Sequence, residues 1–426
     1  ALLRSATTTW RCFLVTMALE LRVQKKRVPL FPFISLLCFV CLFLALSLSR
    51  RASSPIATTP QYRFFLPNNT APLIPDSCDL SQGSWIYEAD QSIPRYDESC
   101  KEIYKGWNCA IGGKSNAKEI SKWRWSPDGD HCDLPRFDPF LFLETYRDTS
   151  IGFVGDSITR NMFVSLFCTL KRSSGESKKW RPAKADRGFT FLSYNLTIAY
   201  HRTNLLTRYG RWKGDDINGE LEKLGFKEGY RVDVDIPDSS WAEAPLFHDV
   251  LILNTGHWWG ARSKFDPVKS PMLFFEKGQP LIPPLSPYAG LERALRNMAL
   301  FVERNAKRKG ALFFRTHSPR HFEGGDWDEG GYCRRVEPLP PYKVEEVYPM
   351  EKNGSNEVNE AMRKALKGSA FKVLDITKMS EERADAHPST TGRKKHEDCM
   401  HWCLPGLPDT WNDFFVFYLS TIKIFH

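Results

Sequence analysis

Residues Ser150-Ile151-Gly152-Phe153-Val154-Gly155-Asp156-Ser157-Ile158-Thr159-Arg160-Asn161 decide the fold. The apolar run 150–154 has the length and composition of a strand, and a helix is expected from about Arg160. Between them, Gly155-Asp156-Ser157 reads as a tight turn from strand to helix. Such a turn exposes the serine hydroxyl and aims backbone N–H groups at the atom under attack. Alone the tripeptide means little, because Gly, Asp and Ser are ordinary turn formers. It gains weight from Asp398-Cys399-Met400-His401-Trp402, which adds a carboxylate and an imidazole to the hydroxyl. Those are the parts that make a serine nucleophilic at neutral pH.

Working outward, residues 250–253, 311–315 and 371–376 repeat the short apolar pattern of 151–154. Near-continuous hydrophobicity predicts strands covered on both faces, as in a parallel sheet. Helices are expected at 291–309, with apolar residues at helical spacing and Gly310 as the stop, and at 356–367, closed by Gly368. Strands alternating with helices give an α/β sandwich whose ligands sit beyond the C-terminal strand edges. Ser157, Asn254 and Arg315 all fall at such edges.

Apolar content of 42% with 13% aromatics is ample for a core and argues against wholesale disorder. Residues 30–49 carry no charge and no polar stripe, so they are read as one transmembrane signal-anchor helix. The denser basic cluster (Arg22, Lys25, Lys26, Arg27) precedes it, which makes residues 1–29 a cytoplasmic tail and the remainder lumenal. Residues 1–51 hold eight Lys/Arg and one Glu, a net +7 of the total +9, leaving +2 for the rest. A nucleic-acid protein would spread its basic residues over a folded face, so no nucleic-acid partner is expected. Met17 stands just before the basic cluster, which suggests it as the natural start and residues 1–16 as an artefact of gene prediction.

Residues 50–76 are rich in Pro, Ser and Thr and read as a lumenal stalk. Residues 77–140, with four cysteines and many aromatics, read as a disulfide-pinned subdomain packed on the main body, a catalytic domain over 141–426. Eight cysteines (78, 100, 109, 132, 168, 333, 399 and 403) fall in the expected lumen, where disulfides form. They allow about 105 pairings, and sequence does not choose among them. Zinc is the rival at Cys399-x-His401-x-Cys403, but the spacing fits no common structural site, so disulfides are favoured and no metal is expected. Asn68, Asn195 and Asn353 head Asn-x-Ser/Thr triplets, the pattern of a secretory glycoprotein.

Seven blocks now stand in order: Cys78-Asp79-Leu80 with Gly83-Ser84-Trp85; Trp123-Arg124-Trp125; Cys132-Asp133-Leu134-Pro135-Arg136-Phe137; the Gly155–Asn161 turn; Asn254-Thr255-Gly256-His257-Trp258-Trp259; Arg315-Thr316-His317-Ser318-Pro319-Arg320-His321-Phe322; and Asp398-Cys399-Met400-His401-Trp402-Cys403-Leu404-Pro405-Gly406. In content and spacing they resemble the plant trichome birefringence-like polysaccharide O-acetyltransferases. The resemblance implies a single-pass type II Golgi membrane protein with an SGNH/GDSL-like catalytic domain. It implies acetyl transfer to sugar hydroxyls of a cell-wall polysaccharide, with Ser157 as nucleophile and Asp398 and His401 completing the triad. It also implies acetyl-CoA or a derived donor as co-substrate, with no bound cofactor, and an acetyl-donor transporter as a partner. Residues 413–426 differ from the usual family ending, which suggests a mis-spliced tail whose cost falls on terminal packing rather than chemistry.

In this reading His401 takes and returns the proton, and Asp398 fixes its tautomer. The bland alternative makes Asp398 a helix cap and His401 a surface residue. A tether from Cys399 and Cys403 to distant cysteines, Cys109 and Cys333 among them, would restrict this loop. Asp156 is read as turn-stabilising. The expected oxyanion donors are the Ser157 N–H with Asn254 first, then Gly256 and Arg160; Gly155 and Asn161 complete the turn. His257 is a site residue or a hydrogen-bonded core histidine. Trp258 and Trp259 suit stacking on sugar rings, though at least one is more simply core. Arg160, Arg315 and Arg320 either meet acidic sugars or hold structural carboxylates. The near-neutral lumenal charge leans the acceptor away from pectin and toward a hemicellulose. The rivals are an acetyl esterase with the same triad and a non-catalytic wall-polymer binder.

Overall fold

The structure, a computed structural model, describes residues 78–89, 95–130, 132–214, 219–307, 310–391 and 396–422. The tail, signal-anchor and stalk expected at 1–76, and Asn68, lie outside these residues. Among the described residues no helix is long and apolar enough to cross a membrane.

The architecture is α/β. Along the chain the strands are β1 (Gly83–Tyr87), β2 (Trp123–Pro127), β3 (Ser150–Gly155), β4 (Ser177–Trp180), β5 (Arg187–Phe191), β6 (Leu196–Arg202), β7 (Thr207–Lys213), β8 (Glu228–Pro237), β9 (Val250–Leu253), β10 (Met272–Glu276), β11 (Gln279–Pro280), β12 (Ala311–Arg315) and β13 (Lys372–Leu374). Among the described residues a seven-stranded sheet runs β13-β12-β9-β3-β6-β5-β4. It is parallel from β13 to β6 and antiparallel through β5 and β4. A second sheet, β11-β10-β8-β7, is mixed, and β1 pairs with β2 alone.

The period of two along each strand explains the layering. Ile151, Phe153, Ile252 and Phe313 point into one core, shared with the Ser157–Ser174 and Leu407–Ser420 helices. Val154, Leu251, Leu253 and Phe314 point into the other, under the Pro287–Asn305 and Pro349–Leu366 helices. With both faces buried, these strands need no polar alternation, which is why they read as apolar runs.

Several expectations change or gain detail. The mostly parallel sheet gains a parallel strand, β6, and an antiparallel edge. Run 371–376 shortens to β13, because Thr316 Oγ1 accepts the Ile376 N–H (2.9 Å) and peels that residue into the next helix. The 140/141 boundary falls inside the Pro139–Thr145 helix, started by Asp138 accepting from the Phe140 and Leu141 N–H groups. Among the described residues the N-terminal subdomain has no separate core: Leu80, Tyr96, Trp107 and Trp125 join the first core. The suspected tail also packs, with Phe414, Phe415 and Leu419 buried and Asp413 paired to Arg95 at 2.6 Å.

Strand β6 carries a buried imidazole. His201 Nε2 lies 2.9 Å from His248 Nε2, His248 Nδ1 is 2.8 Å from Ser150 Oγ, and His201 Nδ1 is 3.3 Å from Ser240 O. Burial holds both rings neutral and pushes His201 down to about 4. The unfolded chain therefore binds more protons below about pH 6.5, and the pair's stabilising contribution falls as pH drops from there toward about 4. Between about pH 7 and 5.5 it should remove at least about 1 kcal/mol of unfolding free energy. His248→Gln, which keeps a donor and an acceptor without a titrating ring, should lose less over the same interval. Equal pH slopes in denaturant titrations of the two proteins would refute this.

Candidate active site

The Ser157–Ser174 helix begins at the serine itself, earlier than expected. Asp156 is its N-cap: one carboxylate oxygen accepts the Ile158 N–H at 3.0 Å. Gly155 has no substitute here, because a Cβ would sit 2.5 Å from Asn254 O. The sharp turn leaves Ser157 partly exposed above buried neighbours.

Across from it stands the loop 398–403. His401 Nε2 lies 2.8 Å from Ser157 Oγ, and His401 Nδ1 lies 2.9 and 3.1 Å from the two Asp398 carboxylate oxygens. Asp398 also accepts the His401 backbone N–H at 3.1 Å. With Asp398 accepting, the ring proton sits on Nδ1 and Nε2 is left to accept from the hydroxyl. The side chains are 5% and 19% exposed, so the carboxylate is shielded while the imidazole still reaches a ligand. Disulfides Cys333–Cys399 and Cys109–Cys403 pin both sides of the loop. The remaining pairs are Cys78–Cys132 and Cys100–Cys168. Both cysteines of the Cys399/Cys403 spacing are thus bonded, and the zinc alternative has no thiolates to use.

Asn161 has a defined job. Its side chain accepts the Trp402 N–H at 2.8 Å and donates to Trp402 O at 3.2 Å, tying the serine's helix to the residue after His401. Asn161→Ala removes two buried hydrogen bonds, and such losses cost about 1–3 kcal/mol each. It should lower kcat at least about tenfold with KM little changed. An unaltered kcat would show that the loop holds its position without this tie.

Other sequence-derived candidates are placed differently. Asn254 donates to Arg315 O at 3.0 Å and to Thr316 O at 3.4 Å, so its amide braces β9 against β12 rather than standing open as an oxyanion donor. Gly256 lets His317 close in, since a Cβ there would meet its Nδ1 at 2.6 Å. His257 packs on the His317 ring at 4.2 Å. Its ring nitrogens are buried without a hydrogen-bond partner among the described residues, and burial pushes it well down, to the neutral form. Trp259 is core: 1% exposed, parallel to Phe274, with Nε1 donating to Thr255 Oγ1 at 3.0 Å. Trp258 is half-buried, with Lys264 Nζ 5.1 Å from its ring centre.

The three arginines divide. Arg315 is wholly buried beneath Trp411, and its Nη1 donates to Thr316 O. Burial pulls it down to about 10, and it faces Asp156, whose carboxyl burial pushes up. Arg320 holds Glu351 and Asp326, each at 3.1 Å. Arg160 instead lies against the rings of Trp107 and Tyr104, at 5.4 and 5.9 Å. Sequence reasoning missed Trp107, whose ring centre lies 5.1 Å from that of His401. The signal was Cys109, two residues on, but only its pairing with Cys403 reveals it.

Residues 134–418 match a model of the GDSL/SGNH-like acyl-esterase family found in Pmr5 and Cas1p, and residues 76–133 match the PMR5 N-terminal domain. The chain is 64% identical over 402 residues to protein trichome birefringence-like 13 of Arabidopsis thaliana, covering 92% of this chain and 97% of that one. It is 41% identical over 349 residues to trichome birefringence-like 12 of the same plant, covering 80% and 84%.

Proposed function

The chain belongs to the trichome birefringence-like family, and from that premise we propose that it transfers acetyl groups to hydroxyls of a plant cell-wall polysaccharide, a hemicellulose such as xylan. The observation that carries the reading is the 2.8 Å contact between His401 Nε2 and Ser157 Oγ, with Asp398 on the opposite ring nitrogen. Ser157 Oγ attacks the acetyl carbonyl while His401 Nε2 takes its proton. The tetrahedral oxyanion is met by the Ser157 N–H at the helix start, with Gly256 and Arg160 as the remaining donors of the set read from sequence. Collapse expels the donor's leaving group with the proton from His401 and leaves acetyl-Ser157. A sugar hydroxyl then attacks as His401 removes its proton, and Ser157 leaves with that proton restored.

The donor is acetyl-CoA or a derivative of it, supplied through an acetyl-donor transporter. The setting is the Golgi membrane, with residues 30–49 as a type II anchor and the catalytic domain lumenal. Asn195 is exposed at the β5–β6 turn, where its Nδ2 donates to Asp148 Oδ1 at 2.9 Å, and Asn353 is exposed in the Pro349–Leu366 helix; both triplets are read as glycosylation positions. The test incubates the purified protein with a labelled acetyl donor and panels of neutral and acidic wall oligosaccharides. Acetylated neutral oligosaccharide is expected. Label released only as acetate would replace the transferase with an esterase, and no release would leave a polymer binder.

A further inference from the structure

Among the described residues two pairs of buried histidines meet nitrogen to nitrogen, and counting protons separates them. In the His201–His248 pair, Ser240 O accepts at one end and the Ser150 hydroxyl can donate at the other. Two neutral rings and one O–H supply three protons for three bonds. The second pair is His321 and His387, with His321 Nδ1 2.7 Å from His387 Nε2. Here both outer nitrogens meet carbonyls: His321 Nε2 is 3.0 Å from Glu381 O, and His387 Nδ1 is 2.7 Å from His401 O. A carbonyl only accepts, so each outer nitrogen must carry a proton, and the inner contact needs a third. Two neutral imidazoles carry two. A neutral pair would oppose lone pairs at one of the three contacts, where the rings are 1% and 0% exposed.

We propose that His321 and His387 share one extra proton in the folded protein, and that this charged clamp positions the loop carrying His401. The surroundings suit a single cation. Trp402 stacks on the His387 ring at 3.9 Å and 25°, offering its π face. Tyr348 packs on His321 at 4.7 Å. Glu351 and Asp385 favour charge on His321, and Asp398 favours it on His387; Arg335 and Lys114 oppose. Burial outweighs these charges for either ring taken alone and pushes His321 down to about 4. What calls for the third proton is the geometry, a carbonyl at each end of the pair, and repulsion between two charged rings limits the excess to one. Two backbone bonds already strap the same loop: His321 N–H to Cys399 O at 3.0 Å and Cys403 N–H to Ala386 O at 2.9 Å. The shared proton completes the strap at the carbonyl of His401 itself.

The positioning role rests on the acyl-transfer reading above; the proton count does not. Nitrogen-15 spectra of the full chain labelled at histidine, taken at about pH 6, read the count directly. Resonances lost in His387→Asn identify the pair. Three of its four ring nitrogens are expected to be protonated, against two of four for His201 and His248. Two of four in both pairs would overturn the proposal. For the positioning role, His387→Leu should lower kcat about tenfold at constant KM. His387→Asn, whose amide can replace the Nδ1 donor to His401 O, should recover most of that loss. Equal kcat in the two variants would overturn the role; if neither folds, coupling across the inner hydrogen bond assigns the pair in the wild-type spectrum, because it joins an Nδ1 to an Nε2 whereas the His201–His248 contact joins two Nε2 atoms.

Discussion

Ser157→Ala is expected to lower acetyl transfer at least about 10³-fold while leaving oligosaccharide binding and thermal stability close to wild type. The direction follows from the geometry. Among the described residues Ser157 Oγ is the hydrogen-bond partner of His401 Nε2, at 2.8 Å, and alanine leaves that nitrogen with no hydroxyl to deprotonate. The fold should tolerate the change, because the N-cap is Asp156 and the serine is a partly exposed first helical residue. Asp398→Asn should be severe for a different reason. An amide can donate to Nδ1 and so favour the wrong tautomer, which turns Nε2 from acceptor into donor. Single-turnover measurements with a labelled donor check both, since they read acetyl-enzyme formation directly. Acetyl-enzyme appearing at the wild-type rate in Ser157→Ala would remove the nucleophile assignment.

The second large effect concerns Cys109–Cys403. This bond joins residues 294 apart and brings Trp107 to the His401 ring. The paired substitution Cys109→Ser with Cys403→Ser should cost about 2–5 kcal/mol of stability. It should also lower kcat, because it frees the loop on the side of His401. The comparison is Cys78→Ser with Cys132→Ser, which opens a closure of 54 residues within the N-terminal subdomain. That variant should keep kcat near wild type. If both double variants lose the same stability and neither changes kcat, the idea that a disulfide aligns the site fails.

Much of the site was legible because it depends on local chemistry. A strand ending at Gly155, a helix starting beside it and a D-x-x-H loop can be read from neighbouring residues, and 151–154, 250–253 and 311–315 are strands because both their faces are buried. What depended on distant partners was not legible. Strand β6 hid because Thr197, Tyr200 and His201 break its apolar run, and the partners that let His201 be buried, His248 and Ser240 O, lie 47 and 39 residues on. The charged residues of β7 and β8 hid the second sheet, where Asp233 is buried against Arg208 and Arg231. Asn254 was first choice as an oxyanion donor, yet its amide is claimed by the carbonyls of Arg315, the last residue of β12, and of Thr316 just beyond it. Trp258 and Trp259 look alike in sequence; the Thr255 hydroxyl and Phe274 select the second for the core.

The covalent link between Cys109 and Cys403 also bears on how the molecule is made. A growing chain releases Cys109 some three hundred residues before its partner, while Cys100 and Cys132 emerge close beside it. His401 and the Leu407–Ser420 helix that closes the first core arrive together, at the end of that wait. The native bond therefore cannot close until Cys403 has been made, and until then Cys109 either stays a thiol or passes through a bond that is later exchanged.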